Sequence, residues 1–205
     1  MARKRVAILI SGRGSNMSAL IEAASAPDYP AEIALVISNK PGAKGLEIAK
    51  AKSIETATVD HATYRSREEF EAELSRHLAR ARIDIICLAG FMRVLTAGFV
   101  KQWEGRILNV HPSLLPAFKG VDTHARALAA GVNVHGSSVH FVVPELDSGP
   151  VVMQEEVPVL KDDTEDKLAA RVLAAEHRIY PQALRLLAEG RLAIKSDRVV
   201  VSPEN

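Results

Sequence analysis

Two polar side chains near the end of the apolar run Ile107–Val110 can act together on a reacting carbonyl group. Asn109 and His111 are two residues apart, and this spacing places both side chains on one face of an extended segment. Pro112 supports that conformation, because the residue before a proline favours extended backbone. An amide and an imidazole can each donate a hydrogen bond to a developing oxyanion. The alternative is a strand end with two ordinary hydrogen-bonded residues, which the spacing alone does not exclude.

A second candidate site is the glycine-rich loop Ser11–Asn16. It follows Val6–Ile10, which is typical of a buried strand, and precedes a helical apolar pattern at Met17–Ala26. A strand, a glycine loop and a helix in this order direct backbone N–H groups towards an anion. The third glycine of the dinucleotide fingerprint is replaced by methionine, and a P-loop Gly-Lys-Ser/Thr is missing. We interpret the loop as a phosphate site for a mononucleotide-sized ligand, with a plain tight turn as the alternative.

Asp147 is a candidate partner for the histidine. It lies in a dense turn, residues 144–150, that can fold back towards His111. A carboxylate beside an imidazole favours the charged imidazolium and fixes the orientation of the ring. Asp147 can equally serve only to cap the turn before Gly149. The distance along the sequence does not decide between these two interpretations.

Strands and helices alternate along the chain, which predicts a single α/β domain over residues 1–205 with a doubly wound, mostly parallel sheet flanked by helices. The predicted strands are Val6–Ile10, Ile33–Ser38, Thr56–Val59, Ile85–Leu88, Ile107–Val110, Gly136–Val143 and Val151–Val157, with a terminal hairpin around Ser196-Asp197. A long helix is expected from Asp163-Thr164, with a kink at Pro181. Ligands bind beyond the carboxyl ends of such strands, so we expect the glycine loop, Gly90–Leu95 and Asn109–His111 to share one cleft.

The composition limits the class of protein. The chain has 26 Lys and Arg against 25 Asp and Glu, a balance that gives no argument for nucleic acid or an acidic membrane as the main partner. Cys87 is the single cysteine, so it forms neither an internal disulfide nor a multi-cysteine zinc site, and its apolar surroundings favour a buried structural thiol. No apolar run is long enough for a secretory signal or a membrane span, and a cytoplasmic location is the expectation.

Five segments, in order along nearly the whole chain, resemble the phosphoribosylglycinamide formyltransferases, a folate-dependent formyltransferase family of purine synthesis. They are Ser11–Asn16, Ala89–Arg93, Asn109–Pro116, His135–His140 and Leu146–Pro150. The Asn-x-His and Leu-Asp-x-Gly-Pro motifs are similar to the wider formyltransferase family, whereas the glycine loop and the compact length indicate this branch. The resemblance implies a Rossmann-like formyltransferase fold and transfer of the formyl group of 10-formyltetrahydrofolate to the amine of 5′-phosphoribosylglycinamide.

The resemblance also implies a role for each matching residue. Asn109 and protonated His111 would hold the tetrahedral oxyanion, and Asp147 would assist proton transfer. The expected substrate-binding residues are Gly14, Ser15 and Asn16 for the phosphate and Glu176 for the ribose. The expected folate-binding residues are Arg67, Met92, Arg93, Val94, Leu95, Asn109, Val143, Glu145, Leu146 and Asp147. The N-terminal half would thus bind mainly the phosphoribosyl substrate, and the C-terminal half would bind folate and carry the chemistry.

The family resemblance suggests three further expectations. His140 would support the catalytic residues, the Leu115–Pro116 peptide would be cis, and no metal would be needed. The partners would be the two small-molecule substrates, with no nucleic acid and no membrane, and a homodimer is possible for such a chain.

Three other functions compete with this interpretation. A 10-formyltetrahydrofolate hydrolase would use the same trio with water as acceptor, but it normally carries an additional N-terminal domain, whereas here the first strand begins at once. A methionyl-tRNA formyltransferase would need a tRNA-binding domain and a basic surface. A non-catalytic nucleotide-binding module would leave Asn109, His111 and Asp147 unexplained.

Overall fold

The computed structural model describes residues 2–203, which form an alternating succession of strands and helices. The strands are β1 (Lys4–Ile10), β2 (Ala31–Ser38), β3 (Glu55–Thr58), β4 (Ile85–Leu88), β5 (Ile107–His111), β6 (Val134–Phe141), β7 (Val151–Pro158), β8 (Leu192–Lys195) and β9 (Arg198–Val201). The helices are α1 (Ser15–Ala24), α2 (Lys44–Ala51), α3 (Arg67–Arg80), α4 (Ala97–Gln102), α5 (Thr123–Ala129) and α6 (Glu165–Ala188), with a short 3₁₀ turn at His61–Thr63.

The main sheet has seven strands in the order β3-β2-β1-β4-β5-β6-β7. β1 pairs in parallel with both β2 and β4, and β2 pairs in parallel with β3, whereas β6 and β7 are antiparallel. This arrangement confirms the predicted doubly wound, mostly parallel sheet. The strand order reverses between β1 and β4, which is the position where ligands bind in sheets of this type.

The chain divides into two compact units, one up to residue 108 and the other from residue 109 onwards. The single domain over residues 1–205 stays a prediction. In the first unit, all residues of Val6–Ile10 are completely buried, as expected for a central parallel strand. Helix α1 buries its predicted apolar face, which includes Leu20, against this unit. Helix α3 is capped by Ser66, whose Oγ accepts from the Glu69 amide over 3.1 Å, and the Glu69 carboxylate accepts from the Arg65 amide over 3.0 Å.

The second unit is built from the β6–β7 hairpin and the long helix α6. The buried face of α6 includes Leu168, Val172 and Ala175, which form a core with Val157 of β7. The helix runs continuously through Pro181, and a kink there stays a prediction. The predicted terminal hairpin is present as β8 and β9, and both turn residues between them, Ser196 and Asp197, have positive φ angles.

Several predicted strand boundaries differ from those of the structure by one or two residues. The predicted strand at residues 136–143 is β6, which begins at Val134 and ends at Phe141, and the Phe141 amide donates to the Pro150 carbonyl over 3.0 Å across the following turn. Cys87 is completely buried in β4, as predicted for a structural thiol. Within residues 2–203, no three His, Cys, Asp or Glu side chains are grouped to hold a metal ion. Over the same range, none of the helices has the length and apolar character needed to cross a membrane.

Candidate active site

Strand β5 positions the two residues from which the chemistry was predicted. Asn109 and His111 both belong to β5, and the alternating geometry of a strand directs both side chains to the same face. His111 is 4% exposed, whereas Asn109 is partly accessible. The imidazole is therefore surrounded by protein, and the amide remains open to a ligand.

His111 has a hydrogen-bond acceptor at each ring nitrogen. Its Nδ1 lies 3.4 Å from Oδ2 of Asp147, and its Nε2 lies 3.0 Å from the carbonyl oxygen of Phe118. Neutral imidazole has only one N–H, whereas imidazolium has two. The charged form is thus the one that satisfies both acceptors, and the carboxylate balances its charge.

The turn between β6 and β7 holds Asp147 against the histidine. Asp147 has a positive φ of 48°, and its Oδ2 accepts a 2.8 Å hydrogen bond from the Gly120 amide. Gly149 makes this turn possible, because a Cβ at this position would lie 1.8 Å from the carbonyl oxygen of Phe141. The Leu-Asp-Ser-Gly-Pro motif therefore fixes the carboxylate through its backbone geometry, and Asp147 does more than cap a turn.

A second buried histidine orients the amide of Asn109. The Nδ2 atom of Asn109 lies 3.2 Å from Nε2 of His140, and Nδ1 of His140 lies 2.8 Å from the Phe141 carbonyl. Burial lowers the pKa of His140, although the Phe141 carbonyl and Asp147 oppose this effect. Neutral His140 therefore carries its proton on Nδ1 and accepts from Asn109 at Nε2.

The loop after β5 is fastened to β6 by two buried hydroxyl groups. Ser137 Oγ donates to the His111 carbonyl over 3.0 Å, and Ser138 Oγ donates to the Ser113 carbonyl over 2.6 Å. Ser138 also accepts a 3.0 Å hydrogen bond from the Leu115 amide. The Leu115–Pro116 peptide is cis, which confirms the expectation. The motif His135–His140 thus supports the backbone on which His111 lies.

His135 is a further buried histidine, close to the Pro112 backbone and in mainly aromatic surroundings. It is 1% exposed, and its ring contacts the rings of Phe118 and His124 edge-on, at centroid distances of 5.8 Å and 5.4 Å. Burial lowers its pKa to about 4, and the nearby imidazoles of His124 and His111 add to the effect. His135 therefore stays neutral at physiological pH.

The glycine loop of the first unit forms one wall of a cavity of about 320 Å³. Its lining residues are Ser11, Gly12, Arg13, Gly14, Ser15, Asn16, Lys40, Ala89, Gly90 and Met92. Gly14 has a φ of 77° and caps α1, so the first N–H groups of that helix lie at the cavity. A Cβ on Gly14 would lie 3.0 Å from Cα of Gly45, which explains the need for glycine. The loop therefore has the form of an anion site.

Lys40 is a lining residue that sequence reasoning did not select. It directly follows Asn39, next to the carboxyl end of β2, and its ammonium group adds positive charge near the helix N-terminus. Arg13 of the glycine loop is a second exposed cation. Its position just after a predicted parallel strand could have indicated Lys40 as a binding residue, because the carboxyl ends of such strands meet at the ligand-binding edge of the sheet.

The other predicted binding residues occupy different surroundings. In the first unit, Met92 is 64% and Val94 is 51% exposed, whereas Leu95 is buried and Arg67 begins α3 in an exposed position. In the second unit, Val143, Glu145 and Leu146 belong to the turn before β7, and Glu176 is buried on α6. The structure thus brings Asn109, His111, His140 and Asp147 into direct contact, and it gathers Gly14, Ser15 and Asn16 at one cavity.

A model of the formyl transferase family matches residues 4–184, which is most of the chain. The chain belongs to the formyl transferase family. This formyl transferase is 46% identical over 187 residues to the phosphoribosylglycinamide formyltransferase of Escherichia coli, covering 91% of this chain and 88% of that protein. The motif-based resemblance is thereby confirmed.

Two further comparisons support the same branch of the formyl transferase family. The glycinamide ribonucleotide transformylase 1 of Symbiobacterium toebii has a crystal structure that superposes with a TM-score of 0.95 at 44% identity, covering 97% of this chain and 94% of that one. The trifunctional purine biosynthetic protein adenosine-3 of Gallus gallus is 50% identical over 190 residues, or 93% of this chain. The chain spans only 19% of the length of that trifunctional protein.

Proposed function

We propose that this formyl transferase moves the formyl group of 10-formyltetrahydrofolate to the amine of 5′-phosphoribosylglycinamide in purine biosynthesis. The observation that carries the proposal is the buried contact of 3.4 Å between His111 and Asp147, next to the accessible amide of Asn109. Asn109 and His111 can donate hydrogen bonds to the formyl oxygen, and the Asp147 carboxylate can accept the proton that the amine loses. Acyl transfer to an amine requires both functions.

The proposed reaction is a direct transfer through a tetrahedral intermediate. The glycinamide nitrogen forms a bond to the formyl carbon, and the formyl oxygen becomes an oxyanion that accepts hydrogen bonds from Asn109 and His111. The bond between the formyl carbon and N10 of the folate then breaks. The amine loses one proton to Asp147, directly or through water, and that proton passes to N10 of the departing folate. All atoms and charges balance without a further reactant.

The Phe118 carbonyl adds a condition to this mechanism. It lies 3.0 Å from Nε2 of His111, and Asp147 Oδ2 lies 3.4 Å from Nδ1, so both donor positions of the imidazolium are already in use. If Nε2 is the donor to the oxyanion, the substrate oxygen has to replace this carbonyl. The hydrogen bond to the oxyanion is the stronger one because this acceptor carries a charge, and this gain offsets the loss of the donor at the Phe118 carbonyl.

In the proposed nucleotide site, Gly14, Ser15 and Asn16 bind the phosphate at the N-terminus of α1, and Glu176 binds the ribose hydroxyls. Backbone N–H groups and the helix dipole favour a dianion there. Lys40 adds a positive charge to the same cavity.

The proposed folate-binding residues of the first unit are Arg67, Met92, Arg93, Val94 and Leu95. Met92 and Val94 expose apolar surface that a flat pterin ring would cover, and Arg67 offers a cation to a glutamate tail. In the second unit, the proposed residues are Asn109, Val143, Glu145, Leu146 and Asp147. Leu146 is 56% exposed and is the apolar contact of that set. The proposed location is the cytoplasm, the proposed partners are the two substrates, and a homodimer is the proposed assembly.

A formyl-transfer assay with both substrates tests the function. We expect transfer to 5′-phosphoribosylglycinamide and slow release of folate in its absence, because water is not positioned as the amine is. Rapid folate release by the wild-type protein without the amine would replace the proposal with a hydrolase. Isothermal titration with 5′-phosphoribosylglycinamide alone tests the nucleotide site separately.

A further inference from the structure

Ser11 joins the glycine loop to the loop that follows β4. It is the first residue after β1, and its Oγ accepts a 2.8 Å hydrogen bond from the Met92 amide. The Ser11 amide in turn donates to the Gly90 carbonyl over 3.2 Å. Backbone and side chain of one serine therefore hold two points of the Gly90–Leu95 loop.

The hydroxyl proton of Ser11 points away from Met92 and towards Asn39. Ser11 Oγ donates to Oδ1 of Asn39, the residue that follows β2. Asn39 is completely buried, its backbone amide donates to the Ile10 carbonyl over 3.3 Å, and Nδ1 of His61 lies 2.8 Å from its backbone carbonyl oxygen and 3.2 Å from its Nδ2. The backbone of Asn39 is therefore held on both sides, and Ser11 donates its hydroxyl proton to this residue while its lone pairs face the Met92 amide.

The cavity of the first unit contacts both ends of this connection. Ser11 lies in the cavity wall together with Gly14, Ser15 and Asn16, and Met92 belongs to the same wall. An anion that orders the glycine loop therefore acts on the residue that holds Met92. Ordering one loop lowers the entropic cost of ordering the other, which is a coupling free energy between two sites.

We propose that Ser11 is a positioning residue that couples occupancy of the anion cavity to the conformation of the Gly90–Leu95 loop, and so to folate binding. This inference rests on the proposed function, because it takes the nucleotide phosphate and the pterin as the two ligands. Ser11 contacts neither reacting group. Its effect passes through the Met92 amide and through the start of the glycine loop.

The test measures the dissociation constant of tetrahydrofolate by isothermal titration, with and without saturating 5′-phosphoribosylglycinamide. In the wild-type protein, we expect the nucleotide to tighten tetrahydrofolate binding several-fold. Ser11→Ala should weaken tetrahydrofolate binding about five- to tenfold, the typical effect of one lost hydrogen bond, and should reduce the coupling to about one. Because coupling is reciprocal, tetrahydrofolate should tighten nucleotide binding by the same factor in the wild-type protein and by a factor of about one in the variant.

Two more variants separate positioning from simple loss of stability. Ser11→Thr keeps the hydroxyl and should restore the coupling. Leu78→Ala removes a completely buried apolar side chain of α3 that lies in neither loop and does not line the cavity. We expect Leu78→Ala to lower the melting temperature at least as much as Ser11→Ala does while retaining the coupling and the affinity for tetrahydrofolate.

The possible failures are distinguishable. A wild-type protein that binds neither ligand would remove the proposed function and this inference with it. A wild-type protein that binds both ligands without coupling would overturn the inference and leave the function intact. If Ser11→Ala kept the wild-type coupling and the wild-type affinity for tetrahydrofolate, the inference would also be overturned and the proposed function left intact.

Discussion

The side-chain amide of Asn109 donates to Nε2 of His140 over 3.2 Å. Since His140 uses its own proton on the Phe141 carbonyl, Nε2 can only accept, and the nitrogen of Asn109 has to face it. The amide group therefore has one orientation, with one N–H engaged and the second available to an oxyanion. A buried neutral histidine thus prepares the donor before the substrate arrives, which saves reorganisation during the reaction.

Replacing Asn109 and His140 separately and together tests this relationship. Asn109→Ala should lower kcat about 10²–10³-fold, the usual cost of one oxyanion donor. His140→Ala should lower kcat about tenfold, because the amide loses its orientation but not its donor. The double variant should be no worse than Asn109→Ala, since His140 acts through Asn109. Steady-state kinetics provide the measurement, and independent, multiplicative losses would show that His140 has another role.

Asp147→Asn keeps the shape of the side chain and an oxygen for the Gly120 amide, but removes the negative charge beside His111. We expect kcat to fall about 10²–10⁴-fold, because the variant lacks the proton acceptor and no longer favours imidazolium. The measurement is formyl transfer and folate release, each with and without 5′-phosphoribosylglycinamide. We expect no gain in folate release without the amine. Full transfer activity in this variant would remove Asp147 from the mechanism.

Gly14→Val should damage the nucleotide site selectively. A side chain at φ 77° is strained, and its Cβ would lie 3.0 Å from Cα of Gly45, so the glycine loop has to move. We expect the KM for 5′-phosphoribosylglycinamide to rise about ten- to hundredfold, with tetrahydrofolate binding in the absence of nucleotide nearly unchanged. Gly98→Ala is the control, because its Cβ meets only Thr96 Oγ1 at 3.9 Å. Normal nucleotide affinity in Gly14→Val would place the phosphate elsewhere.

His135 should make the folded protein sensitive to acid. Its pKa is lowered to about 4, so the unfolded chain binds this proton first as the pH falls below 6.5. The contribution of His135 to the free energy of unfolding is complete above pH 6.5. It declines by roughly 3 kcal/mol between pH 6.5 and 4. His135→Phe keeps the ring contacts and should make this part of the profile less steep. His124, His140 and His177, whose pKa values burial also lowers, retain their share of the slope. Urea unfolding at several pH values is the measurement, with His77→Gln, a partly exposed histidine, as the control that keeps the wild-type slope.

The sequence predicted the elements that local patterns determine. The glycine loop before α1, the alternation around the strands and the turn residues of the terminal hairpin are all short-range signals, and the structure contains each of them. Asn109 and His111 also follow from local geometry, because two residues on one strand share a face if they are two apart. The contact of His111 with Asp147 came instead from the family resemblance.

Contacts made by the backbone over long distances could not be predicted in this way. The Phe118 carbonyl at His111 and the Gly120 amide at Asp147 depend on how a loop folds, and their side chains give no hint of it. The hydrogen bond from Met92 to Ser11 spans two strand ends that are far apart in sequence. Such contacts arise from tertiary packing, so residue type and spacing carry no information about them.

The complete burial of Cys87 in β4 has a practical consequence. A thiol reacts as the solvent-accessible thiolate, so Cys87 of the native protein should not react with maleimides or form intermolecular disulfides in air. A cysteine introduced at an exposed position such as Val94 would then be the one reactive sulfur in the folded chain. A fluorophore attached there would report the conformation of the Gly90–Leu95 loop in real time, without any need to remove the natural cysteine.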